Sequence, residues 1–369
     1  MVNVIALTGR IVTDDEHETG EAWVVGDRLT FERPDRPVDQ TLHGVVLPGL
    51  VDVHCHIGLD RNGATDRATA RAQALADRDA GVLAIRDAGS PQDTSWVAAE
   101  ADLPVLVRAG NHLARPKRYI PHYARELDDP DDLPTAVSQE AARGDGWVKL
   151  VGDWIDRGLA AAPDGAPGGD LRPLWTGTQL RAAVGAAHAT GARVTAHTFA
   201  TETLDDLLDA GVDCLEHATG ADADQIARIA AAGVPVTVTL MQIATFDQIA
   251  DAAHRFPVFA ARMRAMHARR HAQVRDLYDA GVPILVGTDA GGGIAHGRLP
   301  DEAAEMVAAG LPAADVVAAA SWRTRAWLGL PGLTEGASAD LVVYPADPRS
   351  DIRALAAPAA VVLRGVRVR

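Results

Sequence analysis

Cysteine is almost missing from this chain: Cys55 and Cys214 are the two thiols among 369 residues. They allow one disulfide at most and cannot build a zinc site of four thiolates, so any metal must be held by histidines and carboxylates. A basic surplus is missing as well. Lys plus Arg total 35 against 50 Asp plus Glu, a formal charge of −15, which repels the phosphates of nucleic acid and the anionic face of a membrane. No window holds the ~18 uninterrupted apolar residues that a membrane span requires. The first twenty residues carry no basic stretch followed by an apolar run, so no export signal is read. The expectation is a cytoplasmic protein with a small-molecule substrate and without nucleic-acid or membrane partners; a homo-oligomer is compatible with it. Gly 34 and Pro 21 are too few and too dispersed for a fibrous or low-complexity chain, and a hydrophobic fraction of 47% is ordinary for a globular one.

What is present is a change of texture along the chain. Asn3 to Thr13 and Ala22 to Glu32 read as β-type segments broken by Asp, Glu, Gly and Pro. From Val45 onward, short apolar strands alternate with Ala-rich, charge-faced helical stretches, the pattern of βα units. The strands expected are Leu50 to His54, Val82 to Arg86, Val105 to Arg108, Val148 to Val151, Arg193 to His197, Cys214 to His217, Pro235 to Thr239 and Ile284 to Thr288. Eight is the number that closes a (β/α)8 TIM barrel. Gly81, Gly191, Gly211, Gly233 and Gly281 each follow Ala or Thr just before a strand, as helix-ending glycines do. Pro312 to Leu330 reads as one further helix, and Ala339 to Tyr344 and Ala360 to Val368 return to β-type sequence. The fold class expected is therefore α/β: a barrel over 49–332, with a small β-sandwich domain assembled from 1–48 and 333–369. Arg115 to Gly146 is the longest interruption and lies where barrel insertions shape a pocket.

The chemistry concentrates at strand ends. His54 and His56 flank Cys55, and side chains two apart on a strand share a face, so both can reach one metal. Cys55 then points the other way and is read as packing. His197, His217 and Asp289 each end an expected strand, which is the catalytic face of a barrel, and their spacings of one or two βα units let them converge on one axis. Lys149, in GWVKLVG, is the odd member, because an ammonium among metal ligands would repel the cation. It must face elsewhere, lose its charge or be chemically modified.

The segments LPGLVDVHCHIGL, VKLVGDW, VTAHTFATETLDDLLDAGVDCLEHATG, VGTDAGGG and EGASADLVVYPADPRSDI together resemble the amidohydrolase superfamily, within it the branch of prolidase-like and imidazolonepropionase-related hydrolases. The likeness runs over essentially the whole chain. It implies two divalent metal ions, zinc being the one expected, with His54, His56 and Asp289 on the more buried ion and His197 and His217 on the second. It also implies a carbamylated Lys149 bridging them, which would turn the troublesome cation into a two-oxygen anionic ligand; retention of this lysine separates the chain from deaminase-type and mononuclear branches. The activity implied is hydrolysis of an amide-type C–N bond, in a dipeptide or N-acyl amino acid, by a metal-bridged hydroxide, with Asp289 as the catalytic proton shuttle. A lactone, carbamate or cyclic-amide hydrolase is the alternative on the same machinery. A metal-free binding protein on the same scaffold is a third reading, against which all six candidate ligands stand.

Around this set, His112 follows the third strand and is expected to touch the substrate, with Arg108, Lys117, Arg118 and Tyr119 beside it as candidates for binding a carboxylate. His296 follows the eighth strand and is a further pocket candidate. Glu216 precedes His217 on its strand, so alternation turns it away from the axis and into a structural ion pair.

Overall fold

The computed structural model describes residues 2–158 and 169–369. The two ends of the chain meet in one seven-stranded mixed sheet. Its N-terminal members are Val4–Val12, Glu18–Val25, Arg28–Thr30 and Gln40–Pro48, and its C-terminal members are Leu341–Tyr344, Ala360–Leu363 and Val366–Arg367. Leu341–Tyr344 pairs antiparallel with Gln40–Pro48, which joins the ends directly. The alternating apolar residues Ile5, Leu7, Val24, Leu29, Leu341 and Val343 bury one shared cluster. Two segments expected as single strands are hairpins. In the C-terminal one, Arg364 at φ 48° and Gly365 at φ 75° supply the two left-handed residues that a tight hairpin turn demands.

All eight expected βα strands are present. Leu50–Cys55, Val82–Asp87 and Val105–Arg108 form one parallel sheet. Trp147–Val151, Arg193–Thr198, Cys214–His217, Val236–Thr237 and Ile284–Leu285 run parallel in that order in a second, extended at its edge by His112–Ala114 and Ala124–Glu126. Backbone bonds from Val53 N to Val286 O, 3.1 Å, and from His56 N to Ala290 O, 2.8 Å, lay the first strand beside the chain that leaves the last. Helices stop where the sequence leads one to expect: Gly211 and Gly233 close theirs at φ 79° and 64°, a conformation that costs a residue with a Cβ.

Two readings need correction. Pro312 to Leu330 is not one helix but two, Ala313–Ala320 and Trp322–Trp327. They break at Ser321 (φ −137°, ψ −105°), whose hydroxyl donates to Pro48 O at 2.7 Å and so ties the break to the N-terminal sheet. The interruption at Arg115 to Gly146 contains the strand Ala124–Glu126, a 3-10 turn at Pro130–Asp132 and the helix Leu133–Arg143. Among the described residues, no helix is long and apolar enough to cross a membrane.

Candidate metal centre

His54 and His56 sit at the C-terminal end of the Leu50–Cys55 strand, and the segment after Ile284–Leu285 packs closely against them. Glycine makes that approach possible. A Cβ on Gly287 would lie 2.6 Å from His54 Cβ, and one on Gly291 would lie 2.8 Å from both His56 Cβ and its carbonyl oxygen. Between the two glycines, Asp289 adopts φ 57°, and at the end of the Cys214–His217 strand His217 adopts φ 70°, left-handed conformations that non-glycine residues hold only under constraint. Their side chains are thereby turned toward the strand-borne histidines. The rings make a continuous row: His112 to His56 5.0 Å, His56 to His54 5.2 Å, His54 to His217 5.0 Å and His217 to His197 4.9 Å between centroids. We expect Gly287→Ala to push His54 out of line and weaken metal affinity by about 10–100-fold with the circular-dichroism spectrum unchanged. Metal titration of the purified variant checks this, and wild-type affinity would refute it.

Hydrogen bonding decides which nitrogens are available. His56 Nδ1 donates to Gly89 O at 2.6 Å, because a carbonyl can only accept, so Nε2 of the neutral ring carries its lone pair. That Nε2 lies 3.1 Å from Asp289 Oδ1. His54 repeats the arrangement, with Nδ1 2.7 Å from Glu216 Oε2 and Nε2 3.2 Å from the same Asp289 oxygen. Two ring nitrogens this close to one carboxylate oxygen need a positive charge among them, a proton or a metal cation, and Glu216 with Asp289 raises the pKa of His54 against its burial. One ligand atom from each of His54, His56 and Asp289 lies within 4.8 Å of the others, which is the spacing a shared ion needs.

The surrounding electrostatics agree. Burial disfavours a charged Asp289, yet the imidazoles of His54 and His56 outweigh it and hold the carboxyl well below its ordinary range. Burial pushes His217 down to about 3 and lowers His197 and His112 well below the ordinary imidazole value, so these rings are neutral, the form that ligates a metal. His197 Nε2 is buried with no hydrogen-bond partner among the described residues. The same holds for Lys149 Nζ, which is completely buried and whose charge acts on His54, His56, His197 and His217. An ammonium left there without an acceptor is costly, and burial lowers its pKa. The donor set therefore fits divalent ions: His56, His197 and His217 as neutral imidazoles, His54 between two carboxylates, the ionised Asp289 and a lysine without a partner among the described residues.

Glu216 does not face away. It makes the expected ion pair, with the buried Arg86, but its other oxygen reaches His54 Nδ1, and the Thr195 hydroxyl also donates to it. The left-handed turn at His217 ends the alternation at this strand end, so neighbouring residues both serve the site. Other candidates fall into two groups. His112 is fully buried beside His56, with Tyr119 5.3 Å from it and 5.8 Å from His197. Tyr123, Trp154 and Phe199 continue this aromatic wall. Arg108 and His296 are not brought to it. Arg108 grips Asp145 with Nε and Nη2 at 2.7 and 2.8 Å, and His296 Nδ1 lies 2.8 Å from Asp77. Arg118 is likewise engaged by Asp156 and by the carbonyls of Trp154 and Arg172.

A model of the amidohydrolase family matches residues 45–368, nearly nine-tenths of the chain. The chain belongs to the amidohydrolase family. This amidohydrolase is 48% identical over 346 residues to an uncharacterized protein of Mycobacterium tuberculosis (strain ATCC 25618 / H37Rv), covering 94% of this chain and 91% of the relative. Among solved structures, it is similar to a Xaa-Pro dipeptidase with bound methionine in the active site, at TM-score 0.80 and 21% identity over 100% of both chains. A prolidase complexed with N-methylphosphonate-L-proline matches at TM-score 0.78 and 20% identity, again over 100% of both. At those identities the likeness is one of fold, and the amidohydrolase is prolidase-like in that sense.

Proposed function

We propose that this amidohydrolase is a binuclear metal-dependent amidase cleaving the C–N bond of a dipeptide or N-acyl amino acid. In this reading, His54, His56 and Asp289 would hold one ion, His197 and His217 would hold the other, and Lys149, once carbamylated, would supply a further anionic ligand. The observation that carries it is the convergence of His54 Nε2 and His56 Nε2 on one Asp289 oxygen, at 3.2 and 3.1 Å, with Lys149 Nζ buried and unpartnered among the described residues. Divalent ions, when bound, supply an activated water and Lewis acidity toward a carbonyl, and zinc suits neutral imidazoles with a carboxylate. The rest falls to the chain. Asp289 is the ligand with solvent access, 18% of its side chain against 5% for His56. It takes the proton of the attacking water and passes it to the leaving nitrogen. Glu216, held ionised by Arg86, accepts from His54 Nδ1 and so directs Nε2 toward Asp289. His112, with neither ring nitrogen engaged among the described residues, is the group placed to donate to the substrate carbonyl, and Tyr119 packs over it.

The same reading treats the two parallel sheets as one (β/α)8 barrel over 49–332, closed by the Val53 and His56 backbone bonds, and the terminal sheet as a small β-sandwich domain from 1–48 and 333–369. It also revises the substrate. Arg108 and Arg118 are committed to Asp145 and Asp156, so neither serves as a carboxylate anchor. The wall built by Tyr119, Tyr123, Trp154 and Phe199 favours an apolar or aromatic side chain.

The deciding experiment is a panel of dipeptides, N-acyl amino acids, lactones and carbamates assayed before and after chelation and zinc reloading. Amide cleavage that disappears on chelation and returns with zinc is expected, strongest for aromatic side chains. Turnover confined to lactones or carbamates would replace the amidase reading, and activity indifferent to chelation would remove the metal.

A further inference from the structure

The alternation that sends His54 and His56 to one side of their strand sends Cys55 to the other, and the sequence alone makes it a packing residue. The structure surrounds it differently. Asp77, from the helix Arg67–Asp79, and His296, from the loop before Leu299–Ala308, both reach this side. Cys55 Sγ, one carboxylate oxygen of Asp77 and one ring nitrogen of His296 all lie within 4.8 Å of one another. Cys55 is fully buried, and the side chains of Asp77 and His296 are 2% and 5% exposed. Asp77 is held by two contacts: Oδ2 lies 2.8 Å from His296 Nδ1, and Oδ1 accepts from Gly297 N at 2.7 Å. His296 Nε2 is buried with no hydrogen-bond partner among the described residues.

An Asp–His ion pair by itself accounts for Nδ1 and leaves the other nitrogen and the thiol unexplained.

We propose that Cys55, Asp77 and His296 form a further cation site, for a borderline divalent ion such as Zn²⁺, on the opposite side of the strand from His54 and His56. Sulfur, imidazole and carboxylate are a donor set that such ions take up in tetrahedral geometry, with a water in the fourth position. Donor atoms around zinc lie about 3.3–3.8 Å apart, so the observed spacing closes on an ion with small side-chain shifts. A surface cavity of about 330 Å³ lined by Ala76, His296 and Gly297 provides the access route. An ion there would tie together the helix, the strand that carries the histidine pair and the loop after Asp289. This site is independent of the amidase reading.

Cobalt discriminates it from the histidine cluster, because only a thiolate ligand gives Co²⁺ an intense near-ultraviolet charge-transfer band. Metal-free full-length protein is titrated with Co²⁺ alone, and absorbance is followed for wild type, Cys214→Ser, Cys55→Ser and His296→Asn. The expected result is the thiolate band in wild type and Cys214→Ser, its complete loss in Cys55→Ser and its weakening in His296→Asn, while visible ligand-field bands from the other cluster persist. If Cys55→Ser does not fold, His296→Asn and the bound-cobalt count of wild type carry the test. No thiolate band in cobalt-loaded wild type, or a band that follows Cys214, overturns the proposal. A bound-cobalt count of one per chain with the thiolate band intact would instead count against the binuclear reading alone.

Discussion

Asp289→Asn is expected to lower turnover by about 10²–10⁴-fold with the fold intact, the range associated with removing a positioned general base. Asparagine matches aspartate in shape and is among the few residues that accept a left-handed backbone, so φ 57° at this position is no obstacle. What disappears is the negative charge that faces His54 Nε2 and His56 Nε2 and the capacity to take up a proton. The measurement is kcat on the best amide of the panel, with metal content and thermal unfolding recorded on the same preparation. Turnover within a few-fold of wild type would move the proton-transfer role to another residue; a large loss accompanied by loss of metal would make Asp289 chiefly a ligand.

The second large effect belongs to stability. Glu216→Ala should destabilise the protein by about 3–5 kcal/mol, because it leaves Arg86 charged, buried and unpaired. Arg86 is fully buried, lies over the rings of Trp147 and Trp327 at 4.7 and 5.4 Å, and has no alternative carboxylate among its hydrogen bonds to the described residues. The same substitution strips His54 Nδ1 of its acceptor, so metal binding should weaken as well. Denaturant unfolding of metal-free protein isolates the first effect from the second. Replacing both partners, Arg86→Met with Glu216→Leu, should recover most of the stability and none of the metal affinity, since apolar groups of similar volume carry no desolvation cost. A midpoint for Glu216→Ala equal to that of wild type would mean that water reaches Arg86 and that the pair is not the structural link described here.

Local signals carried far in this chain where the residue's own position settled the matter. The eight βα strands were legible because each is a short apolar run bounded by a helix-stopping glycine or proline, a pattern that needs no distant partner to interpret. His54, His56, His197, His217 and Asp289 were legible for the same reason, since the end of a strand is a place readable from sequence. Lys149 was legible as a conflict; it is also one of two lysines in the chain, the other being Lys117. Arg108 shows the opposite case. Its chemistry suggested an anion site, but Asp145, 37 residues further on, takes it up, and which acid meets which base is fixed only when the strands are side by side.

The sequence by itself thus determined the α/β class, the order of the strands and the ring of histidines and aspartate at the strand ends, because periodicity, turn residues and side-chain chemistry are properties of neighbours along the chain. The tertiary structure decided the rest: that Glu216 serves His54 rather than the far face, that Gly287 and Gly291 let the last strand approach the histidine pair, and that Cys55 meets Asp77 and His296. The physical reason is common to all three. Left-handed turns at His217 and Asp289 override the two-residue alternation of a strand, and contacts between elements tens of residues apart follow from packing, which no local pattern encodes.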